Sequence, residues 1–123
     1  MILLDSNAII YFASPGFYDL REEYSNLDLA ASAVSRIEVL GYHSLEADKK
    51  QDFEDYFSSI VVLDMTSDVV ERAISLRQER KIGLGDAIVA ATALVHDLTL
   101  ATRNTKDFKW IDSLVLIDPF EAA

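Results

Sequence analysis

The chain has 123 residues, half of them hydrophobic and 26% charged, which suits one folded domain with a substantial core. It contains no cysteine, and this excludes a disulfide framework and any metal site or redox chemistry that depends on a thiolate. The formal net charge of -10 argues against a broad basic surface for nucleic acid, so any role in RNA chemistry needs another source of affinity for phosphate.

The first residues, MILLDSNAII, lack the basic stretch and the cleavage site of a secretory signal. No apolar run approaches the roughly 18 residues that a membrane span requires. We therefore expect one soluble domain over residues 1–123, located in the cytoplasm and not attached to a membrane.

Short apolar runs alternate with helical patterns along the chain, and this alternation predicts parallel strands joined by helices. The predicted strands, in chain order, are Ile2–Leu4, Leu29–Val34, Ile60–Leu63, Leu98–Thr102 and Leu114–Ile117. The predicted helices run from Asn7 to Ala13, Phe17 to about Ser25, Ser35 to about Ser44, Glu46 to Ser58 and Thr66 to Lys81, with a last one opening at the GLGD stretch of residues 83–86. We expect an α/β fold in three layers, α/β/α, with a central parallel sheet.

Polar residues at the carboxyl ends of the strands are the candidates for function, because ligands of open α/β sheets bind outside these ends. Six such residues fall at or near this edge of the predicted sheet: Asp5, Glu38, Asp64, Asp86, Asn104 and Asp107. We interpret Asp64 as a structural strand terminator. The simplest interpretation of Asn104 and Asp107, taken alone, is that of polar loop residues.

The remaining three acids also have structural explanations. Asp5 can begin a turn or cap the helix that follows it. Glu38 can close a capping box with Ser35, in which its carboxylate returns to the backbone of Ser35. Asp86 can interact with the helix dipole, worth roughly 0.3 to 1 kcal/mol, although the apolar residues at i+3, i+4 and i+7 place it on a face that is typical of core.

A cation changes this interpretation, because carboxylates gathered at one sheet edge repel each other and raise one another's pKa values unless a cation lies between them. Oxygen ligands without cysteine favour Mg²⁺ or Mn²⁺ over zinc. The two histidines are not needed for such a site: we interpret His43 as a surface residue and His96 as a helix-terminus residue.

Four stretches in this order, ILLDSNAII, SRIEVL, LGDAIVAATA and LATRNTKDF, resemble the PIN domain, and most closely the small VapC-type toxin ribonucleases of bacterial toxin–antitoxin pairs. The resemblance covers essentially the whole chain. It implies a metal-dependent endoribonuclease that acts on RNA, leaves a 5′-phosphate and a 3′-hydroxyl, and is covered by a segment of an antitoxin partner.

The resemblance also implies the site residues. Asp5, Glu38 and Asp86 correspond to the three acidic, metal-binding positions of the family. Asn104 is the first choice for the fourth catalytic position and Asp107 the alternative. The hydroxyls of Ser6, Ser35 and Thr102 are candidates to orient these groups and Arg103 to contact phosphate, although a structural role explains each at least as well.

Self-association is expected from two of the predicted helices. They carry Phe53, Tyr56, Phe57 and Ile74, more apolar surface than one small sheet covers, and this predicts a homodimer.

Other classes of function stay open at this point. A receiver-type phosphoacceptor domain would use Asp64, but it requires an acidic pair after the first strand, where this chain has Asp5-Ser6-Asn7. A haloacid-dehalogenase-like phosphatase requires an aspartate at the position of Asn7. A noncatalytic PIN-like binding module is distinguished only by an activity assay.

Overall fold

A sheet of five parallel strands forms the centre of the computed structural model, which describes residues 1–121. The strands are β1 (Ile2–Leu4), β2 (Leu29–Ser32), β3 (Val61–Leu63), β4 (Thr99–Ala101) and β5 (Leu116–Ile117). They lie in the order β3-β2-β1-β4-β5, and every neighbouring pair is parallel. The chain adds strands on one side of β1 and then on the other, so the topological switch point lies between β1 and β4, where ligand sites of such sheets are found.

Six α-helices connect the strands: α1 (Ser6–Phe12), α2 (Tyr18–Glu23), α3 (Ala33–Leu40), α4 (Ala47–Ser58), α5 (Ser67–Glu79) and α6 (Leu84–Val95). Short 3₁₀ turns at Pro15–Phe17 and Thr105–Asp107 complete the regular structure.

One face of the sheet is covered by α5 and α6, which pack against each other. Leu3 of β1 and Leu100 of β4 are fully buried there, in the same core as Val69 and Leu76 of α5 and Ala90 of α6. The alanines of α6 are fully buried in this core.

The other face is covered by α1 and α4. Leu4 of β1 packs there in one core with Ile9 of α1 and Phe57 of α4. Helix α3 is shared between the two layers, since its Val34 belongs to the first core and its Val39 to the second. The predicted three-layer α/β/α architecture is confirmed.

The start of α3 differs from the prediction. The hydroxyl of Ser32 accepts a hydrogen bond from the backbone N–H of Val34 at 3.2 Å, so β2 ends at Ser32 and α3 begins at Ala33. The predicted capping box between Ser35 and Glu38 is therefore wrong, because Ser35 is buried inside the first turn and is not the cap. The cap chemistry was predicted correctly in kind but three residues too late in the chain.

Two further boundaries are shifted for local reasons. Helix α1 begins one residue early, at Ser6, because Asp5 supplies the cap. The predicted helix from Phe17 to Ser25 starts instead as a 3₁₀ turn at Pro15, whose fixed φ suits a first helical position, and continues as the short helix α2.

None of the helices within residues 1–121 has the length and apolar character that crossing a bilayer requires. The predicted domain also includes residues 122 and 123, which lie outside the described residues.

Candidate active site

Asp5 lies at the switch point of the sheet, directly after β1. Its backbone N–H donates to the carbonyl of Ala101 in β4 at 3.1 Å, and its carboxylate accepts a hydrogen bond from the N–H of Ala8 at 2.8 Å. The residue is 7% exposed. Capping of α1, the structural role considered for Asp5, is therefore real, and it holds the carboxylate at the carboxyl edge of the two central strands.

Burial raises the pKa of Asp5, and repulsion from Glu38 and Asp118 adds to the rise. Hydrogen bonds from the Thr102 hydroxyl and the Ala8 amide oppose it. Thr102 is fully buried at the end of β4, and its hydroxyl, one of the candidates to orient the acids, does contact Asp5.

Glu38 reaches the same edge from α3. Its carboxylate accepts a hydrogen bond from the Ser6 hydroxyl at 2.8 Å, and the Ser6 oxygen lies 3.0 Å from that of Ser35. Because a hydroxyl carries one proton, Ser6 can donate to Glu38 while it accepts from Ser35. Both serines thus help to fix the Glu38 carboxylate, which is otherwise exposed.

Gly85 gives the Glu38 carboxylate room beside α6. A Cβ atom at Gly85 would lie 2.6 Å from Oε2 of Glu38 and 3.0 Å from its Cδ, closer than non-bonded atoms approach. The neighbouring Gly83, the N-cap of α6, has nothing within 4 Å of the equivalent position. The glycine next to Asp86 therefore permits the close approach of a second acid.

Asp86 is the third residue of α6 and is exposed, although Val89, Ala90 and Ala93 on the same helical face are buried. The sequence therefore predicts correctly that this face of α6 is buried, but Asp86 itself is exposed. Partial burial of the carboxyl raises the pKa of Asp86, and repulsion from Asp5, Glu38 and Asp107 raises it further.

The two candidates for the fourth position both lie in or next to the 3₁₀ turn after β4. Asp107, in this turn, is close enough to Asp86 to raise its pKa. Asn104 is exposed at the start of this turn, and its backbone N–H donates to the Thr102 hydroxyl at 3.1 Å. Asn104 stays the first choice from the sequence resemblance and Asp107 the alternative.

Asp118 belongs to the same group of acids and was missed in the sequence. It follows β5, acts on the pKa of Asp5, and accepts a hydrogen bond from the N–H of Phe120 at 2.9 Å. The rule that found Asp5, applied to the last predicted strand as well, would have found it.

The donor chemistry of this edge fits a hard divalent cation. Asp5, Glu38 and Asp86 offer only oxygen atoms. Burial first and repulsion from other acids second raise the pKa values of Asp5 and Asp86, and a bound cation stabilises the charged form of both. Within residues 1–121, however, no three acidic or histidine side chains converge closely enough to hold a metal as they stand. The site therefore fits a divalent cation in the type and charge of its donor atoms. The side chains of Glu38 and Asp86 are exposed and can rotate.

Comparison with known proteins identifies the family to which this arrangement belongs. The PIN domain profile matches residues 2–114. Ribonuclease VapC10 of Mycobacterium tuberculosis is 34% identical over 91 residues, which cover 70% of this chain and 67% of the relative. Ribonuclease VapC2 of Rickettsia felis is 29% identical over 131 residues, covering 93% and 94%. Among solved structures, a toxin–antitoxin complex from Klebsiella pneumoniae has a TM-score of 0.79 at 32% identity, covering 99% of this chain and 100% of that one.

The chain belongs to the PIN domain family. Within that family it is similar to the VapC ribonucleases, as the resemblance in the sequence had implied.

Asp86→Asn should stabilise the metal-free protein at neutral pH, by less than about 1 kcal/mol because the carboxyl is exposed and screened. A carboxyl whose folded pKa is raised binds its proton more tightly in the native state, so its ionisation costs stability. This cost is absent below the ordinary pKa of 3.8 and grows as the pH rises through the folded value. Urea unfolding at pH 7 should show the gain, and the gain should shrink as the pH falls towards 3.8.

Asp68→Asn is the matched control, because Asp68 also lies in the first turn of a helix, α5. Loss of its helix-dipole interaction should destabilise the protein by up to about 1 kcal/mol, the opposite sign. If Asp86→Asn destabilises the protein as Asp68→Asn does, Asp86 acts only as a helix-terminus residue.

Gly85→Ala should displace the Glu38 carboxylate without weakening the fold. The added methyl group meets the mobile end of a side chain, and alanine is the better helix former, so the melting temperature should stay or rise. Crystal structures should show Glu38 turned away from Ser6 in Gly85→Ala but unchanged in Gly83→Ala. An unmoved Glu38, with the helix shifted instead, would show that the carboxylate does not need this space.

Proposed function

We propose that this protein is a metal-dependent endoribonuclease of the VapC type, the toxin of a type II toxin–antitoxin pair. The observation that carries the proposal is the gathering of Asp5, Glu38 and Asp86 at the switch point of a PIN domain sheet, where burial first and repulsion from neighbouring acids second raise the pKa values of Asp5 and Asp86. The ribonuclease names of the relatives support the reaction, and the Klebsiella complex supports the toxin role.

Asp5, Glu38 and Asp86 would hold a Mg²⁺ or Mn²⁺ ion. When bound, such an ion lowers the pKa of a coordinated water and stabilises negative charge on the phosphate and the leaving oxygen. The oxygen-only donor set and the unneutralised repulsion among the acids support this choice of metal.

The residues of the chain divide the remaining work. Asp5 is held rigid by the Ala8 amide and the Thr102 hydroxyl, so it gives the site a fixed reference point. Glu38, whose carboxylate accepts a hydrogen bond from Ser6, would orient the attacking water and accept its proton. Attack at phosphorus breaks the bond to the 3′ oxygen and leaves a 5′-phosphate and a 3′-hydroxyl. Asp107 adds negative charge near Asp86, and either Asn104 or Asp107 would fill the fourth position.

An antitoxin partner is part of the proposal. A groove of about 340 Å³ begins at Glu38 and runs between α1, α3 and α4. It is lined mainly by apolar side chains, among them Ile10, Val39, Leu45 and Phe53. An apolar segment of the antitoxin bound there would end at the catalytic edge, which would explain how the partner blocks access of RNA. The net charge of -10 suits a basic partner.

The purified protein should cut RNA in Mg²⁺ or Mn²⁺ and not in EDTA, and Asp5→Asn, Glu38→Gln and Asp86→Asn should each lower the rate by at least about 100-fold. Asn at position 5 retains the ability to cap α1, so the fold should survive. The measurement is cleavage of a mixed RNA pool, with mapping of the product ends.

Asp64→Asn is the matched control. Asp64 follows edge strand β3, two strands from β1, and its loss should leave the rate unchanged. Wild-type protein that cuts no RNA under any metal condition, and whose melting temperature no metal raises, would favour a noncatalytic binding module.

We also propose a homodimer, although the apolar surface that supports it differs from the one expected from the sequence. Phe53, Tyr56 and Phe57 are buried against the sheet and are not the excess apolar surface expected from the sequence. Exposed apolar side chains do lie on α5, at Val70 (39% exposed) and Ile74 (46%). Light scattering at micromolar concentration should show a dimer that Ile74→Glu dissociates; a wild-type monomer would contradict this.

A further inference from the structure

Arg103 lies over two aromatic rings at the carboxyl edge of the sheet. Its guanidinium carbon lies 5.1 Å from the ring centre of Tyr11 and 5.7 Å from that of Phe120, both within cation–π distance. The two rings contact each other at 5.0 Å. We call these three residues the Arg103 cluster. Arg103 itself is exposed.

Each member of the cluster is linked to Asp5 through the chain or through a neighbouring residue. Arg103 directly follows Thr102, whose buried hydroxyl contacts Asp5 and accepts from the N–H of Asn104. Tyr11 lies on α1, the helix that Asp5 caps. Phe120 is held through its N–H by Asp118 at 2.9 Å. The two rings and the chain around Thr102 thus hold the guanidinium at the carboxyl edge of the sheet.

The cation–π contacts of Arg103 are compatible with anion binding. They occupy the side of the guanidinium that lies over the rings, and the planar group carries five N–H donors, two of which can bind two oxygens of one phosphate. RNA that approaches this edge meets acidic repulsion from a chain of net charge -10, and a cationic side chain at the same edge opposes that repulsion.

We propose that Arg103, held by the rings of Tyr11 and Phe120, binds an RNA phosphate that neighbours the cleaved one. The inference rests on the proposed ribonuclease function and adds a substrate-binding residue to it. The contact is made equally in the ground state and the transition state, so it acts on KM and leaves kcat unchanged.

The test compares Arg103→Gln and Arg103→Lys with a control, Arg21→Gln. Arg21 also lies over aromatic rings, at 4.4 Å from Tyr18 and 6.0 Å from Tyr56, but it lines a cavity by the amino ends of β1, β2 and β3. The control therefore removes the same charge and the same kind of cation–π contact at the opposite edge. Binding of a fluorescent single-stranded RNA is measured in EDTA over a range of salt concentrations, and KM and kcat are measured in Mn²⁺.

Arg103→Gln should bind RNA about ten-fold more weakly, lower the slope of log affinity against log salt by about 0.7, and raise KM with kcat unchanged. Arg103→Lys keeps the charge but not the planar fork, so it should retain the salt slope with an intermediate affinity. Arg21→Gln should match the wild type in all of these measurements.

A melting curve of each variant separates packing from binding. If Arg103→Gln lowers the melting temperature but keeps wild-type affinity and salt slope, the cluster only stabilises the fold and the inference is wrong. The same conclusion follows if Arg21→Gln weakens RNA binding equally, because the effect is then one of net charge. If the wild type neither binds nor cuts RNA, the proposed function itself fails and the inference with it.

Discussion

The carboxylate of Asp5 is the constraint on which the rest of the site depends. It caps α1, receives the Thr102 hydroxyl from the end of β4 and repels the acids around it, all from the end of the central strand. Cap and hydroxyl fix its position, while burial and its neighbours make its ionisation costly. Asp5 therefore has a structural and a functional role at the same time. The hydrogen bond that caps α1 also keeps its carboxylate at a position where the negative charge is unfavourable.

The layer architecture could be predicted because it depends on patterns that tertiary contacts rarely overturn. The apolar runs of β1 and β4 are bounded by polar residues, and the small, apolar stretch of α6 can only be core. The meeting of Asp5, Glu38 and Asp86 followed from the same patterns, since parallel strands bring their carboxyl ends to one edge. Periodicity fixes which element a residue belongs to, and parallel topology then fixes the edge.

The features of the site that the sequence could not predict depend on which of several similar residues makes a given contact in the folded protein. Ser32 and Ser35 are both good caps, and only the packing of β2 decides that Ser32 takes the role and that Ser35 is free to join Ser6. The clearance at Gly85 is likewise invisible in the sequence, where a glycine in a first helical turn looks like a weak position. The role of this glycine becomes clear only in the folded structure, where the carboxylate of Glu38, from a distant part of the chain, occupies the space that a Cβ atom at Gly85 would need.

The order in which the acids occur along the chain has a consequence for synthesis. Asp5 leaves the ribosome first, but its neighbours on one side come from β4 and from the loops after β4 and β5, near the other terminus. Strand β1 cannot complete its pairing, nor α6 its burial, until β4 is available, as is typical of sheets built from distant segments. A nascent or truncated chain therefore has the carboxylates but not the assembled site, so the proposed RNA cleavage begins only once the fold is complete.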